Sequence, residues 1–270
     1  MALDTTHVSV SGGLKTRWAR LGIPAVLFVL AAAGWWWSGR MAREMRGMAA
    51  GGMDSMAGMG TMEMTGHSVS FVSFVVAWVA MMAAMMFPAI SPVVRLYALA
   101  SARGRVAPLP FFVAAYLVVW GVLGVPVYFI WRALEEPLAD GASWAGRLAA
   151  IVLLAAAAWQ LTPIKSVCLR HCRSPLSFFM EHGGNARRRR GAFRMGAAHG
   201  LFCVGCCWAL MAVLVAMGTM NLAWMAVLAG LIFFEKNAAW GERLASFGGV
   251  AFAGLGIGLL LHPQSINYLT

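Results

Sequence analysis

The chain has 270 residues, of which 61% are hydrophobic and only 11% are charged. One soluble core cannot bury so large an apolar fraction, so the composition excludes an ordinary soluble domain and predicts a membrane protein. The net charge of +11 does not indicate nucleic-acid binding, because the arginines lie in short segments between apolar runs. We expect the chain to lie in a lipid bilayer and to have no nucleic-acid partner.

Seven apolar stretches follow one another, and most approach the roughly 20 residues that cross a bilayer. The first ends in three tryptophans and lacks a clean cleavage site of small residues, so we interpret it as a retained anchor rather than a signal peptide. The sequence therefore predicts an all-α, polytopic transmembrane helix bundle of about seven membrane helices. The stretches are 21–38, 69–94, 106–131, 144–164, 195–217, 219–234 and 245–261.

Basic residues between the stretches predict the orientation, because cytoplasmic loops of membrane proteins carry an excess of Lys and Arg. We expect a bacterial cytoplasmic (inner) membrane protein with a cytoplasmic N-terminus and an extracytoplasmic C-terminus. Three arginines after the first stretch, Arg40, Arg43 and Arg46, oppose this pattern. The supporting clusters are Lys15, Arg17 and Arg20, then Arg95, Arg103 and Arg105, then Arg187, Arg188, Arg189, Arg190 and Arg194.

The same pattern predicts the organisation of the chain. A cytoplasmic tail, 1–20, precedes the first membrane helix, 21–38, and an extracytoplasmic Met-rich loop, 39–68, follows it. A six-helix membrane domain, 69–262, contains a polar and basic cytoplasmic loop at 163–194, and a short tail, 263–270, ends the chain.

The Met-rich loop is a candidate site of metal capture outside the membrane. Thioethers are soft, neutral ligands that select Cu(I), and they form no disulfides in an oxidising compartment. We expect capture of copper or silver, and the alternative is a Met-rich surface that only packs. The candidate outer ligands are Met45, Met48, Met53, Met56, Met59, Met62, Met64 and His67, with Met41 at the start of the series.

The second stretch carries two pairs of methionines at helical spacing. Met81 with Met85, and Met82 with Met86, are four residues apart, so each pair shares one helical face. Four thioethers on adjacent faces fit a Cu(I) site, although methionine is also a common flexible filler of apolar helices. The cysteines further along the chain favour the metal interpretation.

The fifth stretch places soft ligands along one helical face. Three cysteines within five residues, one turn after a histidine, are denser than small apolar filler would require. None of the five cysteines lies in a predicted external segment, so we expect free thiols rather than a disulfide framework. The candidate ligands here are His199, Cys203, Cys206, Cys207 and Met211, with Met195 at the start of the row.

Cys168 and Cys172 form a second pair four residues apart if the segment after the fourth stretch is helical. Two cysteines alone are a weak signal, because zinc sites normally need four ligands. Joined by ligands from elsewhere, they would complete a site for Cu(I), with zinc as the alternative metal.

Depth counting brings these clusters together. If the chain turns near 218–221, Glu235 lies level with Cys203, since helices rise by about 1.5 Å per residue. Met85 reaches a similar depth, so we expect Met85 and Cys203 within ligand-sharing reach. Glu235 and Lys236 are ionisable groups in this layer, which indicates either a functional charged pair or an ion pair at a helix end that reaches the cytoplasm.

Several blocks of sequence occur in one order: 78–88, then Lys165, Cys168, Cys172 and Pro175, then 200–211, then Gly218, Met220, Asn221, Trp224, Met225, Glu235 and Lys236. In these blocks, across roughly 70–258, the chain resembles a family of uncharacterised bacterial proteins described as predicted metal-binding integral membrane proteins. The resemblance implies a membrane helix bundle and places the blocks within it, whereas the metal chemistry rests on the residues themselves.

The leading hypothesis is a membrane protein that handles Cu(I) by capture, transfer or transport through Met, Cys and His ligands. Its partner would be a metal chaperone or a metalloenzyme under assembly. No P-loop or other nucleotide motif occurs, so ATP-driven pumping is not expected, and we assign no catalytic residue. Two other classes stay open: a membrane thiol redox protein or sensor that uses the same cysteines, and an assembly or scaffold subunit without metal.

Overall fold

The computed structural model describes residues 22, 25–36, 39–40, 70–139, 144–182, 186–217 and 221–264, without the side chains of 135–139 and 182. These ranges contain nine α-helices and no strand, so the all-α prediction is confirmed. The helices are α1 (Ala25–Trp36), α2 (Phe71–Ala102), α3 (Leu109–Ala139), α4 (Ala145–Gln160), α5 (Pro163–Arg173), α6 (Pro175–His182), α7 (Arg189–Ala216), α8 (Leu222–Asn237) and α9 (Gly241–Leu261).

Four of these helices are long and apolar enough to cross a membrane, namely α2, α3 over Leu109–Leu134, α7 and α9. Helices α4 and α5 pass the same test only as a pair that is bent by 67°, which gives at most a fifth span. The described part of α1 and the 16 residues of α8 are shorter than the roughly 20 residues that a full crossing needs. The chain is a polytopic helix bundle, and the expected count of about seven is not reached within the described ranges.

The predicted stretch 144–164 is interrupted near its end. Thr162 adopts an extended conformation, and its side chain accepts a hydrogen bond from the backbone N–H of Lys165, which caps α5. Pro163 has no N–H to continue the preceding helix and restricts the residue before it. The segment 163–194, expected as a loop, therefore consists largely of α5, α6 and the beginning of α7.

Helix α7 is the central element, since 56% of its apolar window is buried in the protein against 33% or less for the other three spans. It packs against α3, α4 and α5, while α2 packs against α3 and α8, and α9 packs against α4. Glycine permits two close approaches. A Cβ at Gly196 would collide with the carbonyl of Phe112 in α3, and one at Gly205 would lie 2.8 Å from Cys168 Sγ in α5.

Polar side chains fix the helices around α7. Trp159 Nε1 donates to the carbonyl of Gly205, which joins α4 to α7. Asn237 Nδ2 donates to the carbonyl of Ala89 at 3.1 Å, which sets the end of α8 against α2. Trp78 Nε1 donates to the carbonyl of Trp120, which joins α2 to α3. The first contact holds α4 against α7, and the other two hold α2 against α8 and α3.

Candidate metal site

Four buried cysteines from two helices lie together, and we name Cys172, Cys203, Cys206 and Cys207 the thiol cluster. The Sγ atoms of Cys206 and Cys207 are 3.3 Å apart, and those of Cys172 and Cys206 are 3.8 Å apart. Cys206 Sγ also donates to the carbonyl oxygen of Cys203 at 3.2 Å. All five cysteines of the chain, including the partly exposed Cys168, are free.

Residues from two further helices meet Cys203. Met86 of α2 places its Sδ 4.0 Å from Cys203 Sγ, and Tyr116 of α3 places its Oη 3.1 Å from the same sulfur. Both side chains are buried. Met86 is the neighbour of Met85 on α2, and the expected approach of Met85 itself to Cys203 stays a prediction.

Lys236 lies against the thiol cluster, and its side chain is buried with only 5% of the residue exposed. Its Nζ donates a hydrogen bond of 2.9 Å to Cys203 Sγ. Within the described residues Lys236 forms no salt bridge to a carboxylate, so a sulfur atom is the partner of its ammonium group. A positive charge therefore stands where a bound cation would contact Cys203.

Glu235 belongs to a different cluster, which we name the carboxylate cluster: Gln160, Lys165 and Glu235. Its Oε2 lies 2.7 Å from Lys165 Nζ, and its Oε1 accepts a hydrogen bond of 3.0 Å from Gln160 Nε2. All three side chains are buried. The expected pair of Glu235 with Lys236 is not formed, because consecutive positions on α8 direct the two side chains to different neighbours. Nor does Glu235 reach water at the helix end.

His199 lies one helical turn before Cys203 and is fully buried. The rings of Phe112, Tyr116 and Phe178 surround it with centroids 6.0, 6.0 and 5.1 Å away. Neither of its ring nitrogens has a hydrogen-bond partner among the described residues. An unsatisfied buried polar group costs roughly 1–3 kcal/mol, so the unpartnered imidazole beside the cluster calls for an explanation.

The other candidate ligands take different places. Met82, Met85, Met195 and Met211 are buried, but no hydrogen bond joins their sulfurs to the thiol cluster in the described part of the chain. Met81 is partly exposed, and Cys168 Sγ packs against Gly205. The outer methionines Met41, Met45, Met48, Met53, Met56, Met59, Met62 and Met64, with His67, lie outside the described residues.

The model of one protein family, PpoB2, whose description is copper chaperone, matches residues 75–259. The chain belongs to this copper chaperone family. The matched region contains every residue of the thiol and carboxylate clusters, as well as Met86, Tyr116, His199 and Lys236. No curated protein and no solved structure matches the chain. Membership supports copper as the metal and agrees with the coarser part of the resemblance, a metal-related family.

Three residues in or beside the two clusters were not among the candidate ligands. Gln160 and Lys165 are polar residues at the end of an apolar stretch, where burial without a partner is costly, and that position was a usable signal. Tyr116 gave no such signal, because a tyrosine in an apolar helix is common as packing. Its contact with Cys203 depends on how α3 is placed against α7.

The thiol spacing suits a soft metal. A metal–sulfur distance of about 2.3 Å places two thiolates of a tetrahedral site about 3.8 Å apart, and Cys172 and Cys206 have that separation. No group of three or more His, Cys, Asp or Glu in the described ranges has the full geometry of a metal site. Lys236 Nζ lies at Cys203, on one side of the cluster.

Proposed function

We propose that this chain is a membrane copper chaperone that holds Cu(I) in the thiol cluster and passes it on. The observation that carries the proposal is the convergence of four free, buried thiols from α5 and α7 in a chain of a copper chaperone family. Thiolates and thioethers are soft ligands that prefer Cu(I) to harder ions such as Mg²⁺. Burial among apolar helices also excludes the water that the harder ions retain.

Transfer through the bundle needs ligands that can exchange one at a time. Met86 contributes a neutral thioether next to Cys203, and His199 contributes an unpartnered imidazole one turn away. Neutral ligands hold Cu(I) without adding charge inside lipid, where charge is costly. We infer that Cu(I) moves between these neutral groups and the thiol cluster by stepwise exchange of ligands.

In this proposal the extracytoplasmic methionines of 39–68 collect the metal, and the receiver is a second metal chaperone or a metalloenzyme under assembly. The proposal keeps the predicted orientation in the cytoplasmic membrane, the division into tail, anchor, Met-rich loop and membrane domain, and zinc as the alternative metal. A reporter fused at Thr61 is expected outside and one at Asn185 inside, because arginine-rich segments stay cytoplasmic. Two reporters on one side would contradict the route from an outer loop to an inner cluster.

Simultaneous replacement of Cys203, Cys206 and Cys207 by Ser tests the site. High-affinity Cu(I) binding should be lost, because a hydroxyl is a hard donor and the one remaining thiol of the cluster, Cys172, makes only a weak site with Met86. Deletion of 41–64 should leave the bound stoichiometry unchanged and slow only the loading. Binding is measured by competition with a Cu(I) chelator on the purified full chain.

The matched control is Cys168→Ser, which removes a partly exposed thiol outside the thiol cluster and should leave Cu(I) affinity unchanged. If bound copper survives the triple replacement but is lost with the loop deletion, the outer methionines are the metal site instead. Copper retained by a chain that carries both the triple replacement and the loop deletion would refute both sites.

One observation favours a second function, a thiol redox protein. Cys206 Sγ lies 3.8 Å from Cys172 Sγ on another helix, so oxidation could link these two thiols without large movement of the helices. Thiol trapping under mild oxidants separates the two functions. A disulfide that forms reversibly in the cell, with no copper bound after purification, would favour the redox function.

A further inference from the structure

A cavity of about 670 Å³ lies where α5 ends and α9 begins, and it includes no residue of the thiol or carboxylate clusters. It is lined by three arginines, an exposed tryptophan, a serine and a single carboxylate. They are Arg170, Arg173, Arg243, Trp240, Ser174 and Glu242. We name this the arginine cavity.

The arginine cavity carries an excess of positive charge. Arg170 lies 3.9 Å from Glu242, both being well exposed, so that ion pair is weak. Arg173 Nη2 donates to the carbonyls of Ala238 and Ala239, which holds the guanidinium in place without neutralising it. Arg243 forms no salt bridge within the described residues. Planar guanidinium groups with free N–H donors are well suited to bind phosphate.

An apolar strip leads away from the arginine cavity along α9. Phe247 and Val250 follow Arg243 at helical spacing, so the three share one face, and they are 73% and 64% exposed. Trp240 at the rim stacks on Phe234 of α8 with ring centroids 6.2 Å apart. Since α9 is long and apolar enough to cross a membrane, we expect this exposed strip to contact lipid chains. A tryptophan at that level is typical of the membrane interface.

We propose that the arginine cavity binds the headgroup of an anionic phospholipid, with its phosphate on Arg170 and Arg243 and an acyl chain along Phe247 and Val250. The excess positive charge attracts the negative headgroup, and the apolar strip packs against the acyl chain of the lipid. Inorganic phosphate or an acidic polypeptide could also bind the arginines. Neither would contact the exposed apolar strip that continues into the hydrocarbon of the bilayer.

The test uses the full chain in nanodiscs of phosphatidylcholine with a minority of phosphatidylglycerol, and native mass spectrometry counts the lipids that the released protein retains. Arg170→Gln with Arg243→Gln should lower the retention of phosphatidylglycerol about tenfold, because charge-assisted contacts to phosphate are lost. Arg173 is left intact since it holds two backbone carbonyls. The matched control, Arg187→Gln with Arg190→Gln, removes the same charge from exposed positions at the beginning of α7 and should change little.

Two further measurements distinguish the lipid from a free anion as the ligand. Phe247→Ala should also weaken phosphatidylglycerol retention, whereas a site for the free anion would be unaffected by it. Inorganic phosphate should fail to displace the lipid. Equal loss in the cavity variant and the control, no loss in either, or displacement by inorganic phosphate would each overturn the proposal, and far-ultraviolet circular dichroism checks that every variant is folded.

Discussion

The thiol cluster and the carboxylate cluster meet consecutive residues of α8, Lys236 and Glu235, and the charges of these two residues have different partners. Glu235 lies in a hydrogen-bonded ion pair with Lys165 and a further hydrogen bond from Gln160. Lys236 instead donates its hydrogen bond to a sulfur atom, Cys203 Sγ. The first arrangement satisfies its charges inside the protein. The second places the Lys236 ammonium group beside a sulfur atom, and that sulfur can also bind a soft metal.

The difference assigns distinct roles to the two clusters. A Cu(I) ion held by two thiolates carries one net negative charge, and the Lys236 ammonium beside it would neutralise that charge inside lipid. The carboxylate cluster is already neutral as a Lys–Glu pair and has no charge to offer the metal. We infer that the carboxylate cluster fixes α5 against α8, while Lys236 compensates the charge of the loaded thiol cluster.

The largest effect should follow from breaking the carboxylate cluster. Glu235→Gln leaves the Lys165 ammonium buried without a carboxylate, which should lower the free energy of unfolding by about 3–5 kcal/mol. Thermal unfolding of the detergent-solubilised protein measures the change. The double variant Lys165→Met with Glu235→Leu should recover much of the loss, since it removes both charges. Unaltered unfolding with lost copper binding would place Glu235 in the metal site instead.

A smaller effect is expected at Lys236, and it should fall on the metal. Lys236→Met preserves much of the side-chain volume but removes the compensating charge, so Cu(I) affinity should decrease about tenfold, the equivalent of one charged hydrogen bond. Chelator competition measures the affinity, and unfolding should change less than for Glu235→Gln. Tighter Cu(I) binding would show that the ammonium blocks the site rather than supporting the bound metal.

The smallest effect should come from the thioether. Met86→Leu is close to volume-conserving and should leave stability nearly unchanged, while Cu(I) affinity decreases by a few-fold, since one weak neutral donor is lost. Met82→Leu is the control, because Met82 is equally buried on α2 but its sulfur forms no hydrogen bond to the thiol cluster among the described residues. Equal losses in both variants would indicate general repacking of α2 instead of a ligand at Met86.

The sequence by itself determined that the chain is helical and apolar, and which soft side chains share a helical face. Those properties depend on composition and on the period of 3.6 residues, which are local. The row from His199 to Cys207 and the helical pair of Cys168 and Cys172 follow from spacing alone. The bend before α5 was also encoded locally by Thr162 and Pro163, although hydropathy alone merged both helices into one stretch.

Only the tertiary structure decided which neighbours each side chain meets. Glu235 and Lys165 are 70 residues apart, and Cys203 and Met86 are 117 apart, so no local pattern pairs them. The rotation of each helix about its axis decides which side chain faces which neighbour. On α2 it turns Met86 toward Cys203, and on α8 it turns Glu235 and Lys236 to different clusters. That rotation is set by the packing of glycines, tryptophans and buried charges from several helices at once, which a single periodic pattern does not contain.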